Sequence, residues 1–68
     1  MRTIKIGAYT VDLYAQELAN GRWASRANVM WEDGGSHVEE PQSYDLEHDS
    51  EAEAVEHAET QIRSRFQS

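Results

Sequence analysis

Two runs, Tyr9-Thr10-Val11-Asp12-Leu13-Tyr14-Ala15-Gln16 and Trp23-Ala24-Ser25-Arg26-Ala27-Asn28-Val29-Met30-Trp31, decide the fold, together with the Ala19-Asn20-Gly21 between them. Apolar or small side chains recur at every second position in both, the period of a half-buried strand. Tyr9, Val11, Leu13 and Ala15 share one face of the first run, and Trp23, Ser25, Ala27, Val29 and Trp31 share one face of the second. Residues paired across an antiparallel ladder lie on the same face. A two-residue turn at Asn20-Gly21 would set Val11 against Met30 and mix the faces. A three-residue loop at Ala19-Asn20-Gly21 sets Val11 against Val29, Leu13 against Ala27 and Tyr9 against Trp31. Gly21 suits the left-handed position that such a loop needs, so this register is expected.

Upstream, Ile4 and Ile6 alternate with the opposite parity. The switch at Gly7-Ala8 reads as a bulge or bend within one long strand. Downstream, Gly34-Gly35 suits a two-residue hairpin turn that pairs Trp31 with Val38 and, if the ladder is unbroken, Trp23 with Leu46. Glu40 and Gln42 then point inward and Pro41 removes a ladder donor. The third strand is therefore expected at a sheet edge, broken near residues 39–42.

Ser50 with Glu53 forms a capping box that opens a helix. Glu51 and Glu53 suit its positive end, and Arg63 and Arg65 its negative end. Ala54, Val55, Ala58, Ile62 and Phe66 line one side. Glu59 and Arg63 are an i,i+4 pair. The expected fold is α+β: a three-stranded antiparallel meander, strands about 3–18, 22–32 and 37–48, with one C-terminal helix, about 51–66, packed on one face. Trp23, Trp31 and Phe66 are expected to fill the core beside the small Ala54 and Ala58. The whole chain, 1–68, reads as a single domain.

Composition narrows the function. The chain has 68 residues, no Cys and a net charge of −7 from 13 acidic and 6 basic residues. Ile, Leu, Val and Phe number only 11 of the 68, near the disordered range, but two Trp and three Tyr add apolar area. Without Cys there is neither a disulfide framework nor a thiolate ligand. No apolar run is long enough for a membrane helix. The first residues lack the hydrophobic block of a secretion signal, which implies a cytoplasmic protein. The acidity argues against nucleic acid, whose binding depends on Lys and Arg.

No motif rises to a named chemistry. His37, His48 and His57 lie near carboxylates, but no metal-ligand spacing puts three of them on one rigid element. No Ser stands in a strained, Gly-flanked elbow. The expectation is no catalytic residue, no cofactor, no metal, and no enzyme. One helix covers one sheet face, so the other face, with Asp12, Tyr14, Arg26 and Met30, is left open. Tyr, Met and Arg are common in interfaces, and Tyr14 opposes Arg26 in a cation–π arrangement. Arg26 is also within reach of Asp12 or Asp45. The expected function is a small interaction module, bound to a protein partner or to itself as a homodimer. The alternative is a regulatory, antitoxin-like protein that holds a basic partner on the acidic helix face of Glu53, Glu56 and Glu59.

The segments Gly7-Ala8-Tyr9-Thr10-Val11, Gly21-Arg22-Trp23-Ala24 and Asp49-Ser50-Glu51-Ala52-Glu53-Ala54-Val55 resemble a group of small, mainly proteobacterial proteins of unknown function. Over nearly the whole chain, that resemblance implies a bacterial source and the βββα order. The order is also similar to HicB-like antitoxins, although residues 31–36 lack their proline-rich segment. It is similar too to double-stranded-RNA-binding domains. There, lysines at the start of the C-terminal helix meet phosphates; here Glu51-Ala52-Glu53 would repel them.

Overall fold

The computed structural model describes residues 1–67. Four strands precede one helix: β1 Arg2–Ile6, β2 Tyr9–Glu17, β3 Trp23–Asp33, β4 Ser36–His48 and α1 Glu51–Gln67. The strands form one antiparallel sheet in the order β1-β2-β3-β4, with the helix packed mainly over β2 and β3. The α+β class and the C-terminal helix agree with the sequence reading. The strand number does not: the expected first strand is two.

The reason lies in the turn at Gly7-Ala8. Ile6 pairs with Tyr9 and Ile4 with Val11. A hairpin closed by two residues always pairs positions of opposite parity. The parity switch is thus the signature of a reversal rather than a bulge. Gly7 at φ 58° followed by Ala8 at negative φ matches the turn with Gly at its first central position.

The β2–β3 register agrees with expectation: Val11 faces Val29 and Leu13 faces Ala27. Gly21 takes φ 82° and its N–H donates to the Leu18 carbonyl at 2.9 Å, closing the three-residue loop. Trp31 faces Val38 across the next turn, also as expected.

The break in β4 is displaced from the place expected. Residues 39–42 pair regularly, with Pro41 opposite Asn28 on the edge strand. The register shifts between Ala24 and Arg26, where Ser25 alone stands against three residues, 44–46. Two extra residues preserve parity, so His48 takes the place opposite Trp23 that Leu46 was expected to hold. Leu46 is left exposed. Ser25 is fully buried and its hydroxyl donates to the Ala54 carbonyl at 2.6 Å, tying the sheet to the helix beside the shift.

The core comprises Ile6, Val11, Leu13, Ala27, Val29, Val55, Ala58 and Ile62. Burying a side chain such as Leu13 or Ile62 contributes about 1.5–3 kcal/mol. Ala54 and Ala58 are fully buried, which lets the helix lie close. Tyr9 meets Trp31 edge-on at 5.6 Å and Phe66 at 4.9 Å, closing one end. Trp23 corrects the expectation: it is half-buried and stands outside this cluster. Its cross-strand neighbours are Glu17 and His48, not apolar residues.

Glu40 and Gln42 do turn toward the helix side. Arg65 meets both, with 3.0 Å to the Gln42 Oε1 and 3.6 Å to Glu40. Ser50 and Glu53 form the expected capping box, the Glu53 N–H lying 3.2 Å from the Ser50 hydroxyl.

Candidate functional site

Alternate positions of the four strands point away from the helix and build the uncovered face. The register arranges them in rows. Lys5, Thr10, Met30 and Glu39 form one row, and Thr3, Asp12, Asn28 and Pro41 the next. Tyr14, Arg26 and Ser43 form the third. Tyr14, Arg26, Met30 and Asp12 therefore do share one surface. Thr3 and Lys5 join them because β1 is a separate strand, and Glu39 joins from β4.

Local bonds fix several of these side chains. The Thr3 hydroxyl donates to Asp12 at 2.7 Å, and the Asn28 amide to Glu39 at 2.6 Å. Tyr14 is directly opposite Arg26, as the register required. The Arg26 guanidinium, however, turns to donate to the Ser25 carbonyl at 3.0 Å. Among the described residues it forms no ion pair with Asp12 or Asp45, and the one cation–π contact is Arg65 over Phe66 at 5.3 Å.

The distribution of ion pairs singles this face out. Arg2 binds Glu59 and Glu56, Arg22 binds Glu47 and Asp49, Arg63 binds Glu59, and Arg65 binds Glu40. Lys5 and Arg26 have no acidic partner among the described residues. Both lie on the uncovered face. In a chain with 13 acidic and 6 basic residues, unpaired cations are scarce and their common location is informative.

At the hairpin end of this face, Lys5, Thr10, Met30, Glu32 and His37 border a depression of about 350 Å³. The Glu32 carboxylate, 2.8 Å from His37 Nδ1, raises the imidazole above its ordinary value, and Glu39 adds to this.

The acidic helix face is already engaged within the molecule. Glu59 lies 2.8 Å from Arg63 and 2.5 Å from Arg2. The hydrogen bond from Arg63 comes first, then that from Arg2, in holding the Glu59 carboxyl below the usual carboxylate range. Glu56 is 3.8 Å from Arg2, and Glu53 bonds the cap.

His48 and His57 meet with ring centroids 4.9 Å apart, Tyr44 edge-on to His57 at 6.1 Å. They flank a cleft of about 430 Å³ that Glu53, Glu56 and Thr60 also line. The buried His48 Nε2 has no hydrogen-bond partner among the described residues. Among the described residues, no group of three or more His, Cys, Asp or Glu side chains is placed to hold a metal ion. Even spacing already puts His48 on the helix side of β4, but the two-residue shift, which periodicity does not encode, sets it opposite Trp23. Lys5 was legible as a face residue once β1 and β2 are paired.

No helix among the described residues is long and apolar enough to cross a membrane. Set against known protein families, curated proteins and solved structures, the chain matches none.

Proposed function

We propose that this protein is a small, non-catalytic interaction module that binds a second copy of itself through the uncovered sheet face. The observation that supports this reading most is the placement on that face of Lys5 and Arg26, the two basic side chains without an acidic partner among the described residues. Asp12 and Glu39 stand on the same surface, so one copy offers both signs to another. Tyr14 and Met30 add the residue types favoured at interfaces.

Size sets the expected strength. Four strands about 4.8 Å apart, over three rows about 6.8 Å apart, give a face of about 400 Å² in projection. That lies below the roughly 800 Å² per partner of a standard stable interface. The accessible surface of one copy, 4380 Å², is close to the roughly 4,400 Å² expected for a compact monomer of this mass. A reversible dimer follows, with each copy folded on its own.

Sedimentation equilibrium from about 1 to 500 μM tests this. The expected outcome is a mass rising toward twice 7.8 kDa, and a shift back to monomer for Arg26→Glu and Tyr14→Ala with unchanged circular dichroism. A monomer mass throughout overturns the reading.

The alternative, a regulatory or antitoxin-like protein gripping a basic partner on Glu53, Glu56 and Glu59, has less support. Arg2, Arg63 and the helix cap already take up those carboxylates.

A further inference from the structure

Resting on the self-association reading, we infer that the two copies are related by a twofold axis parallel to the strands, between β2 and β3, giving a four-layer α/β/β/α sandwich. Two ways of stacking the open faces about a twofold axis are distinguishable by charge. An axis parallel to the strands keeps each row and reverses the strand order, so β1 covers the partner's β4 and β2 covers its β3. Lys5 then lies over the row position of Glu39 in the second copy, because Lys5, Thr10, Met30 and Glu39 share a row. Tyr14 lies over the second copy's Arg26 position, since these two are paired, and Asp12 over its Asn28 position. Each contact occurs twice by symmetry.

An axis perpendicular to the strands, through the Asp12 row, keeps each strand over its own counterpart. Asp12 would then face Asp12 of the other copy, and Arg26 would face Met30. Like charges directly opposed are unfavourable, while the parallel axis opposes unlike ones. Twist is compatible with the choice. Stacked sheets are rotated by about 30°, and β1 and β4 lie about 7 Å from the axis. The displacement there is about 4 Å, within the reach of Lys and Glu side chains. The tilted sheets leave both helices, and the His48–His57 clefts, on the outside.

Charge reversal tests the axis by sedimentation velocity on the full chain. Lys5→Glu and Glu39→Lys should each weaken the dimer about tenfold, because each variant turns two attractive contacts repulsive. The double variant should return to within about threefold of the original. Asp12→Asn should leave affinity unchanged within about threefold. Two results would overturn the axis while leaving self-association intact. One is a dimer sensitive to Arg26→Glu but indifferent to both single reversals, or not restored by their combination. The other is a dimer tightened tenfold or more by Asp12→Asn. If no variant and no concentration gives a dimer, the reading of the face itself fails and the axis with it. Lys5, Glu39 and Asp12 lie on the sheet exterior, so thermal melts should show all variants folded.

Discussion

Leu13 and Ala27 stand opposite one another across β2 and β3 and are fully buried; one residue further along, Tyr14 and Arg26 are opposed in the same ladder and remain partly open. The backbone is the same in both pairs. What separates them is the helix, whose Ala58 and Ile62 are fully buried on one side, while none of the described residues covers the other. The covered face is held by burial of apolar surface. The open face carries polar side chains fixed by local bonds, together with Lys5 and Arg26, the basic side chains without an acidic partner among the described residues. Substitutions should therefore affect different observables on the two sides: folding stability on the first, association on the second.

The largest effect is expected under the helix. Leu13→Ala or Ile62→Ala should cost about 2–5 kcal/mol in urea unfolding, a large share of the stability of a domain this small. Tyr14→Ala should cost less than about 1 kcal/mol in the same assay at concentrations where the chain is monomeric. Equal costs at Leu13 and Tyr14 would break the contrast between the faces. The aromatic pair sharpens it. Trp31→Ala removes the edge contact with Tyr9 and should destabilise by about 3 kcal/mol. Trp23→Ala, outside the core cluster, should cost about half as much.

Ser25→Ala comes next. It deletes a buried hydroxyl that bridges sheet and helix, and should cost about 1 kcal/mol. The Ala54 carbonyl keeps its place in the helix ladder, so the loss should stay near that figure.

The smallest effects are electrostatic and concern exposed groups. The Glu59 carboxyl is lowered by Arg63 and Arg2. It therefore contributes stability above its ordinary value, and that contribution is lost as pH falls through the depressed one. Glu59→Gln should flatten the acid limb of a stability–pH curve. His37 has the opposite sign. Its raised value, set first by Glu32 and then by Glu39, gives a contribution present below about pH 6.5 and lost as pH rises through the raised value. Proton NMR should find the His37 midpoint above the ordinary imidazole value, and Glu32→Gln should lower it.

Much of this architecture was legible in residue order. Period-two alternation and the left-handed requirement at residue 21 fixed the β2–β3 register. The capping box at Ser50 and the Ala54, Ala58, Ile62 stripe fixed the helix and its buried side. The extra strand was missed because Gly7-Ala8 is a weaker turn signal than Asn-Gly or Gly-Gly and β1 spans only five residues. Its parity switch was visible, but the same switch is also produced by a bulge. The shift opposite Ser25 had no such signal. It depends on a tertiary bond to the Ala54 carbonyl and on Tyr44 packing against the core, neither of which alternation encodes. The open face was legible as a set of β2 and β3 residues. The isolation of Lys5 and Arg26 was not, because it depends on which carboxylates the other arginines reach in three dimensions.

The sheet has two free edges, and they differ in how they resist templated growth. β4 is long, at 13 residues, which would suit it to recruit strands from other molecules. Pro41 removes a backbone donor in its middle, and the residues that bulge at 44–46 bend the remainder out of register. β1 has a regular ladder but only five residues, two of them Arg2 and Lys5. Neither edge offers the flat, uncharged run from which cross-β fibrils propagate. Addition of strand to strand is therefore disfavoured at both edges, and the proposed self-association, being face to face, would close after two copies.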